Sequence, residues 1–217
     1  MHIDIVSDVA CPWCFIGKRR LERALELRPD VIVSRSWRPF QLNPDLPSAG
    51  VPRDFFLAAK FGSVRQALRG NAAIAAAGRS EGIEIGFERI RRTPNTLCAH
   101  RLIRLAATEG RGDDMVESLF RAYFIDGIDI GDIDALAMIA GRAGLDDDTA
   151  RTYLVSEIGA AEVLAEDRRA RRLGIHAVPC FVIERGYAIS GAQEPEMFLP
   201  LFDLAAGTGN PAGVGAE

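Results

Sequence analysis

At 217 residues, with 48% hydrophobic and 26% charged side chains, the chain has the balance of an ordinary soluble globular protein, long enough for one large domain or a small domain carrying an insertion. A formal net charge of -4 offers no footprint for nucleic acid, and no window approaches the roughly 18 uninterrupted apolar residues of a membrane span, so neither partner is expected. The opening His2-Ile3-Asp4-Ile5-Val6 lacks the basic start and apolar run of a secretory signal, which makes the cytoplasm the expected compartment and a structural disulfide framework from the four cysteines unexpected there.

Residues 2–6 alternate apolar and polar positions and predict a short strand. After Ser7-Asp8-Val9-Ala10 comes Cys11-Pro12-Trp13-Cys14, and from Pro12 the pattern turns helical: Phe15, Ile16, Leu21, Ala24 and Leu25 recur near the 3.6 period among charged residues. The cysteine pair therefore sits at a helix start. Pro29-Asp30 ends that helix, and the β-branched and aromatic run 31–37 predicts a second strand, which completes a βαβ opening. The proline-rich stretch 38–52 reads as a loop.

From about Asp54 to about Leu173 the pattern is almost wholly helical, broken at glycine-containing stretches such as 110–112, 127–131 and 144–148. Thr93-Pro94-Asn95-Thr96 is a plausible start for the helix carrying Leu97, Ala99, Leu102 and Ile103, with Asn95 explicable as its cap. Asp132-Ile133-Asp134 and Asp146-Asp147-Asp148 place acids in first turns, where the helix dipole favours them. The arginines at 168, 169, 171 and 172 read as the solvated face of a helix, since only Lys18 and Lys60 among the 26 basic residues are lysines. After Gly174, strand signals return at 180–184 and 187–190 around a turn at Arg185-Gly186, and Glu194-Pro195-Glu196 opens a last amphipathic helix. The small, glycine-rich tail from about 207 is expected to be disordered.

Disulfide exchange needs a thiolate, and a free cysteine with a pKa of about 8.5 is mostly thiol at neutral pH. A cysteine at a helix N-terminus meets unpaired N–H groups and the positive dipole end, which favour the anion; Cys11 holds that position. Cys14 lies one turn on, close enough to attack a mixed disulfide at Cys11, so the two read as nucleophile and resolving thiol. Pro12 suits the first turn, and Trp13 can shield the pair or contact substrate. A zinc half-site is the competing reading, with His176 and Cys180 as further ligands at a tolerable spacing, but a Cys-x-x-Cys between a strand and an amphipathic helix favours redox use and no metal. Val178-Pro179 stands directly before a strand, where a proline has no N–H to give to the ladder and Xaa-Pro bonds are readily cis.

The order βαβ, helical block, ββα is that of a thioredoxin fold with an insertion, which gives an α/β thioredoxin-like domain over 1–50 and 172–217, interrupted by an all-helical domain over 51–171. Cys11-Pro12-Trp13-Cys14 with the following Phe15-Ile16-Gly17-Lys18-Arg19-Arg20-Leu21, together with Val178-Pro179-Cys180-Phe181 and Ser190-Gly191-Ala192-Gln193, resembles the DsbA family, specifically its FrnE-like branch. The resemblance covers the chain to about residue 205. It implies that the Val178-Pro179 bond is cis, that Cys11 is the exposed nucleophile, and that the pair faces the proline loop across a cleft bounded by the helical domain. Pro94-Asn95-Thr96-Leu97-Cys98-Ala99-His100 is similar to the family's Asn-Thr-x-x-Ala-His stretch, which implies that Asn95 and Thr96 line the cleft, with His100 an accessory candidate. Cys180 departs from the branch's usual aromatic or aliphatic residue and is a third sulfur near the pair, either a redox accessory or a buried hydrophobe; Cys98 reads as core.

The implied function is thiol-disulfide exchange with protein or small-molecule thiols and disulfides, needing no cofactor beyond the redox-active pair, with glutathione a candidate co-substrate and a homodimer the assembly suggested by analogy. The alternatives are a glutathione-dependent isomerase or transferase of the chromene-carboxylate isomerase or kappa class, where a serine replaces the first cysteine, and a non-catalytic binding module. Direction is open, because dithiol proteins of similar fold differ by more than about 100 mV; the absence of a histidine between the cysteines, in a reducing compartment, leans toward reduction or isomerisation.

Overall fold

A computed structural model describes residues 1–184 and 186–207. Strand β1 (His2–Ser7) lies at the centre of a four-stranded sheet of order β2-β1-β5-β6. It pairs in parallel with β2 (Ser34–Pro39), His2 opposite Ser34 and Ser7 opposite Pro39, and antiparallel with β5 (Cys180–Ile183), Val6 opposite Cys180. Strand β6 (Tyr187–Ser190) closes the far edge. The parallel β1–β2 pair needs a crossover, which helix α1 (Pro12–Glu26) supplies. The βαβ and ββα ends of the chain thus form one sheet, as in a thioredoxin fold.

The second strand begins at Ser34 rather than Val31, because its ladder starts opposite His2. Val31 and Val33 pack instead against the smaller core, and Ile32 is exposed. A two-residue ladder that no periodicity announces joins β3 (Val51–Pro52) to β4 (Arg92–Thr93), with Val51 opposite Thr93. It ties the proline-rich loop to the approach of helix α4 (Leu97–Thr108).

The helical stretch comprises α2 (Arg53–Phe61), α3 (Val64–Ser80), α4, α5 (Gly112–Arg121), α6 (Ile133–Arg142), α7 (Asp147–Val155) and α8 (Ala160–Arg172). Helix α5 continues into a π-helical turn, Ala122–Asp126. Asp132 and Asp146 cap α6 and α7 by accepting from the Ala135 and Thr149 amides, satisfying donors that the first turn leaves free. The last amphipathic segment divides into a 3-10 turn (Pro195–Phe198) and α9 (Leu199–Ala205), since Pro200 in the first turn of α9 brings no N–H. Disorder of the tail is a matter of residues 208–217, which lie outside the described residues, as does Arg185 of the hairpin turn.

One buried apolar cluster runs without a break from Val6, Phe15 and Phe40 of the sheet half into Leu102, Phe120, Leu136 and Leu154 of the helices. Phe15, in the first turns of α1, stacks on Phe120 of α5 with ring centroids 5.0 Å apart. Burying each of these rings is worth about 2–3 kcal/mol, so the start of α1 is held firmly against the helical block. The opposite face of the sheet carries a second cluster, in which Ile3, Ile5 and Phe181 meet Phe198 and Phe202.

Candidate active site

The turn between β1 and α1 is organised by one carboxylate. Asp8 is 1% exposed, and its two oxygens accept from the amides of Ala10 (3.2 Å) and Leu42 (2.7 Å), while its carbonyl accepts from the Cys11 amide (3.0 Å). This Asx-type turn delivers Cys11 to the N-cap of α1 in extended conformation, with Pro12 in the first turn. Cys11 makes no side-chain cap bond; its sulfur lies 3.8 Å from the Val178 carbonyl oxygen, within reach of a thiol–carbonyl hydrogen bond. The pair is in the dithiol form with both sulfurs buried, Cys11 at 5% and Cys14 at 1% exposure, so Cys11 is not the exposed thiol that the family resemblance implies: it packs under the Val178 carbonyl, and Trp13 at 39% is the most exposed residue of the motif.

Burial pushes the Cys14 thiol well above its ordinary value, and the neighbouring Cys11 pushes the same way; the Ser7 hydroxyl and the Asp8 backbone pull against them. Cys14 therefore keeps its proton at neutral pH. The Ser7 hydroxyl stands beside the Cys14 sulfur yet has no partner in full hydrogen-bond geometry.

Across from the pair, the Val178–Pro179 bond is cis, and the Pro179 carbonyl accepts from the Gly191 amide at 2.8 Å. Gly17 lets this loop seat on α1: a Cβ there would come within 2.8 Å of Pro179 Cγ and 3.2 Å of Phe181 Cζ. Cys180 opens β5 within the shared core, its thiol pushed up by burial.

The Asn95–His100 stretch is turned mostly toward the scaffold. Asn95 Oδ1 accepts from the Leu97 amide (3.0 Å) and Gln41 Nε2 (3.1 Å), and its Nδ2 donates to the Leu46 carbonyl (2.8 Å), so its amide is spent on the start of α4 and the loop before it. Thr96 is 3% exposed, and the half-buried Cys98 has Arg101 Nη1 at 3.8 Å. His100 is buried with Nε2 3.6 Å from Asp8 Oδ1 and no hydrogen-bond partner. Helix α4 is thus brought against the turn that precedes Cys11.

Behind that turn lies a cavity of about 460 Å3, lined by Ser7 and His100 together with Trp37, Arg104, Asp113 and Glu166 among others. Ser7 and Asp8 are the functional candidates that sequence reasoning passed over. For Asp8 the aspartate three residues before a helix-capping cysteine was a usable turn signal; for Ser7, the last residue of a strand, there was none. Among the described residues no group of three or more His, Cys, Asp or Glu gathers in a metal-binding arrangement, and no described helix is long and apolar enough to cross a membrane.

The sequence profile of the DSBA-like thioredoxin domain matches residues 2–202. The chain is similar to a probable DsbA oxidoreductase from Streptomyces coelicolor, with 36% identity and a TM-score of 0.88 over 99% of this chain and 93% of that one. It shares its fold with a 2-hydroxychromene-2-carboxylate isomerase (14% identity, TM-score 0.70, 95% of both chains). The same holds for the cytosolic disulfide reductase DsbM from Pseudomonas aeruginosa, solved with GSH (16% identity, TM-score 0.64, 95% of this chain and 96% of that one).

Proposed function

The chain belongs to the DsbA-like thioredoxin domain family, and from that premise we propose that it exchanges disulfides through Cys11 and Cys14. The observation that carries this reading is the asymmetry of the two sulfurs: Cys11 at the helix N-terminus against the Val178 carbonyl, Cys14 one turn on in α1, fully buried and with its thiol pushed up by that burial. The positive end of the α1 dipole meets Cys11, where it favours the negative charge that develops on an attacking sulfur.

The Cys11 thiolate attacks a substrate disulfide, forming a mixed disulfide and expelling one substrate thiolate. Deprotonated Cys14 then attacks the Cys11 sulfur, which breaks the mixed disulfide, releases the second substrate thiol and leaves Cys11 and Cys14 oxidised. When Cys11 is so bonded, the Val178 carbonyl loses its thiol partner and is free to accept from an extended substrate backbone. Trp13 offers an apolar contact beside it. Asn95 and Thr96 act by fixing α4, and Cys180 acts as a buried hydrophobe. Pro12-Trp13 contributes no charged or imidazole group to the thiolate, which supports the reducing direction in a cytoplasmic setting.

Glutathione is the small thiol to test as co-substrate, since the Pseudomonas reductase of the same fold was solved with it. The presence of both cysteines supports disulfide exchange over isomerisation. In an insulin reduction assay, Cys11→Ser is expected to abolish turnover, and Cys14→Ser to accumulate a mixed disulfide identifiable by mass spectrometry. Full turnover by Cys11→Ser would sink the assignment.

A further inference from the structure

The loop that faces the cysteine pair is held from the same helix that carries the pair. Arg20 lies one turn along α1 from Gly17, on the face that seats the proline loop, and its side chain is 11% exposed. Each of its three nitrogens meets a different group: Nε donates to Glu81 Oε1 at the end of α3 (3.0 Å), Nη1 donates to the Ala192 carbonyl (2.6 Å), and Nη2 pairs with Glu194 Oε1 (2.7 Å). Ala192 follows Gly191 in the chain, and the Gly191 amide is the donor that holds the Pro179 carbonyl at 2.8 Å. The Val178 carbonyl oxygen, one residue before that proline, lies 3.8 Å from the Cys11 sulfur. Short polar contacts therefore lead from Arg20 through residues 191 and 192 to the groups that face the nucleophile.

We propose that Arg20 is the positioning residue of the proline loop: it fixes residues 191–194 against α1 and so sets where the Val178 carbonyl stands to receive the backbone of a polypeptide disulfide. This rests on the disulfide-exchange reading and adds to it a preference for polypeptide over small disulfides, since only an extended chain engages the carbonyl as well as the sulfur. The planar guanidinium holds its donors in a fixed fork, so partners on three segments are locked in one geometry; lysine, with one nitrogen on a flexible stem, cannot span them. Gly17 leaves little slack beneath the loop, because a Cβ there would stand 3.5 Å from Ala192 Cβ and 2.8 Å from Pro179 Cγ.

The charges around the guanidinium suit this role. The Glu81 carboxylate is 1% exposed and is bound also by Arg23, whose Nη1 lies 2.9 Å from Oε2. Two arginines and two glutamates thus balance across α1, the end of α3 and the 191–194 loop, and Arg20 is the member that joins all three segments. Arg23 shares the buried carboxylate but makes no hydrogen bond or ion pair with residues 191–194. It therefore separates a role in holding the loop from mere support of Glu81.

The test compares Arg20→Lys, and Arg20→Met combined with Glu81→Gln so that no buried carboxylate is left unpaired, with Arg23→Met as the control. Each protein reduces insulin over a range of concentrations, with dithiothreitol as the terminal reductant, and each is also reacted with the small disulfide dithiobis-nitrobenzoate. Both Arg20 variants are expected to raise KM for insulin by about tenfold with kcat within about twofold, because a contact used equally in binding and in the transition state is lost. Their rates with dithiobis-nitrobenzoate should match the parent, since the loop is loosened without a group being driven into it. A variant that merely failed to fold would lower kcat at unchanged KM. Hydrogen exchange at the Gly191 amide, followed by NMR, reads the clamp directly and should quicken by about tenfold in Arg20→Lys but not in Arg23→Met. A parental KM in both Arg20 variants would overturn the proposal, as would unchanged Gly191 exchange, an equal rise of KM in Arg23→Met, or an equal loss with dithiobis-nitrobenzoate. A parent protein inactive on insulin would refute the disulfide-exchange function, and Gly191 exchange would still decide whether Arg20 holds the loop.

Discussion

On its cleft side, the start of α1 presents Cys11 and the solvent-facing Trp13 to the Val178–Pro179 loop; on its inner side it rests on Ser7, Asp8 and His100, each at most 5% exposed. The cleft side is joined by thin contacts, a sulfur–carbonyl approach and the close fit of Gly17 to Pro179. The inner side is clamped by the Asp8 hydrogen bonds and the Phe15–Phe120 stack. Rigid support behind and light engagement in front let one sulfur meet substrates while the other stays fixed in position. Both sides also draw on distant parts of the chain, so damage to either has a distinct signature.

The largest effect is expected from the inner side. Arg101 of α4 donates to the carbonyls of Tyr153, Leu154, Ser156 and Ile158, closing the end of α7 onto the helix that carries His100. Arg101→Ala strands these acceptors and should lower stability by about 4 kcal/mol in a denaturant titration. Retention of parental stability would show that α4 is not held by this clamp. On the cleft side, Gly17→Ala forces a methyl into Pro179 and Phe181, and should cost about 1–3 kcal/mol while slowing the reaction of Cys11 with dithiobis-nitrobenzoate. An unchanged Cys11 rate would mean that the proline loop moves without affecting the nucleophile.

A third test separates the sulfurs by pH. In the reduced folded protein Cys14 keeps its proton above the ordinary value of 9.0, where the unfolded chain has lost it. The folded state then binds more protons, so stability is full below about pH 9 and falls as pH rises toward the folded value, by up to about 1.4 kcal/mol per pH unit. Cys14→Ser should remove that part of the slope, measured by urea unfolding between about pH 8 and 10.5. Equal slopes would place Cys14 in a less protected site. The smallest change is expected from Trp37→Phe, which takes from the cavity wall the indole N–H that donates to Asp113 and should cost about 1 kcal/mol, readable as a shift in the urea midpoint.

Much of this architecture was legible in the order of residues. The alternation in β1, the helical period from Pro12 and the strand signals after Gly174 each depend on near neighbours, so the thioredoxin-like order could be read directly. The placement of Cys11 at a helix start was legible for the same reason. Less so was the beginning of β2, since Val31–Val33 has strand-like composition but the ladder registers on Ser34. The β3–β4 pair is too short to show any period.

The Asn95–His100 stretch marks the boundary most clearly. Sequence likeness pointed to the cleft; in the fold Asn95 spends its amide on Gln41, Leu46 and Leu97, and His100 turns to Asp8. By itself the sequence determined most of the elements, the cysteine pair at the head of a helix and the family to which such a pattern belongs, because capping, periodicity and spacing act over a few residues. Only the tertiary structure decided that both sulfurs are buried, that His100 turns to Asp8 and that Ser7 and His100 share the wall of one cavity. Those facts follow from packing between residues far apart in the chain, which leaves no periodic trace in the order of the amino acids.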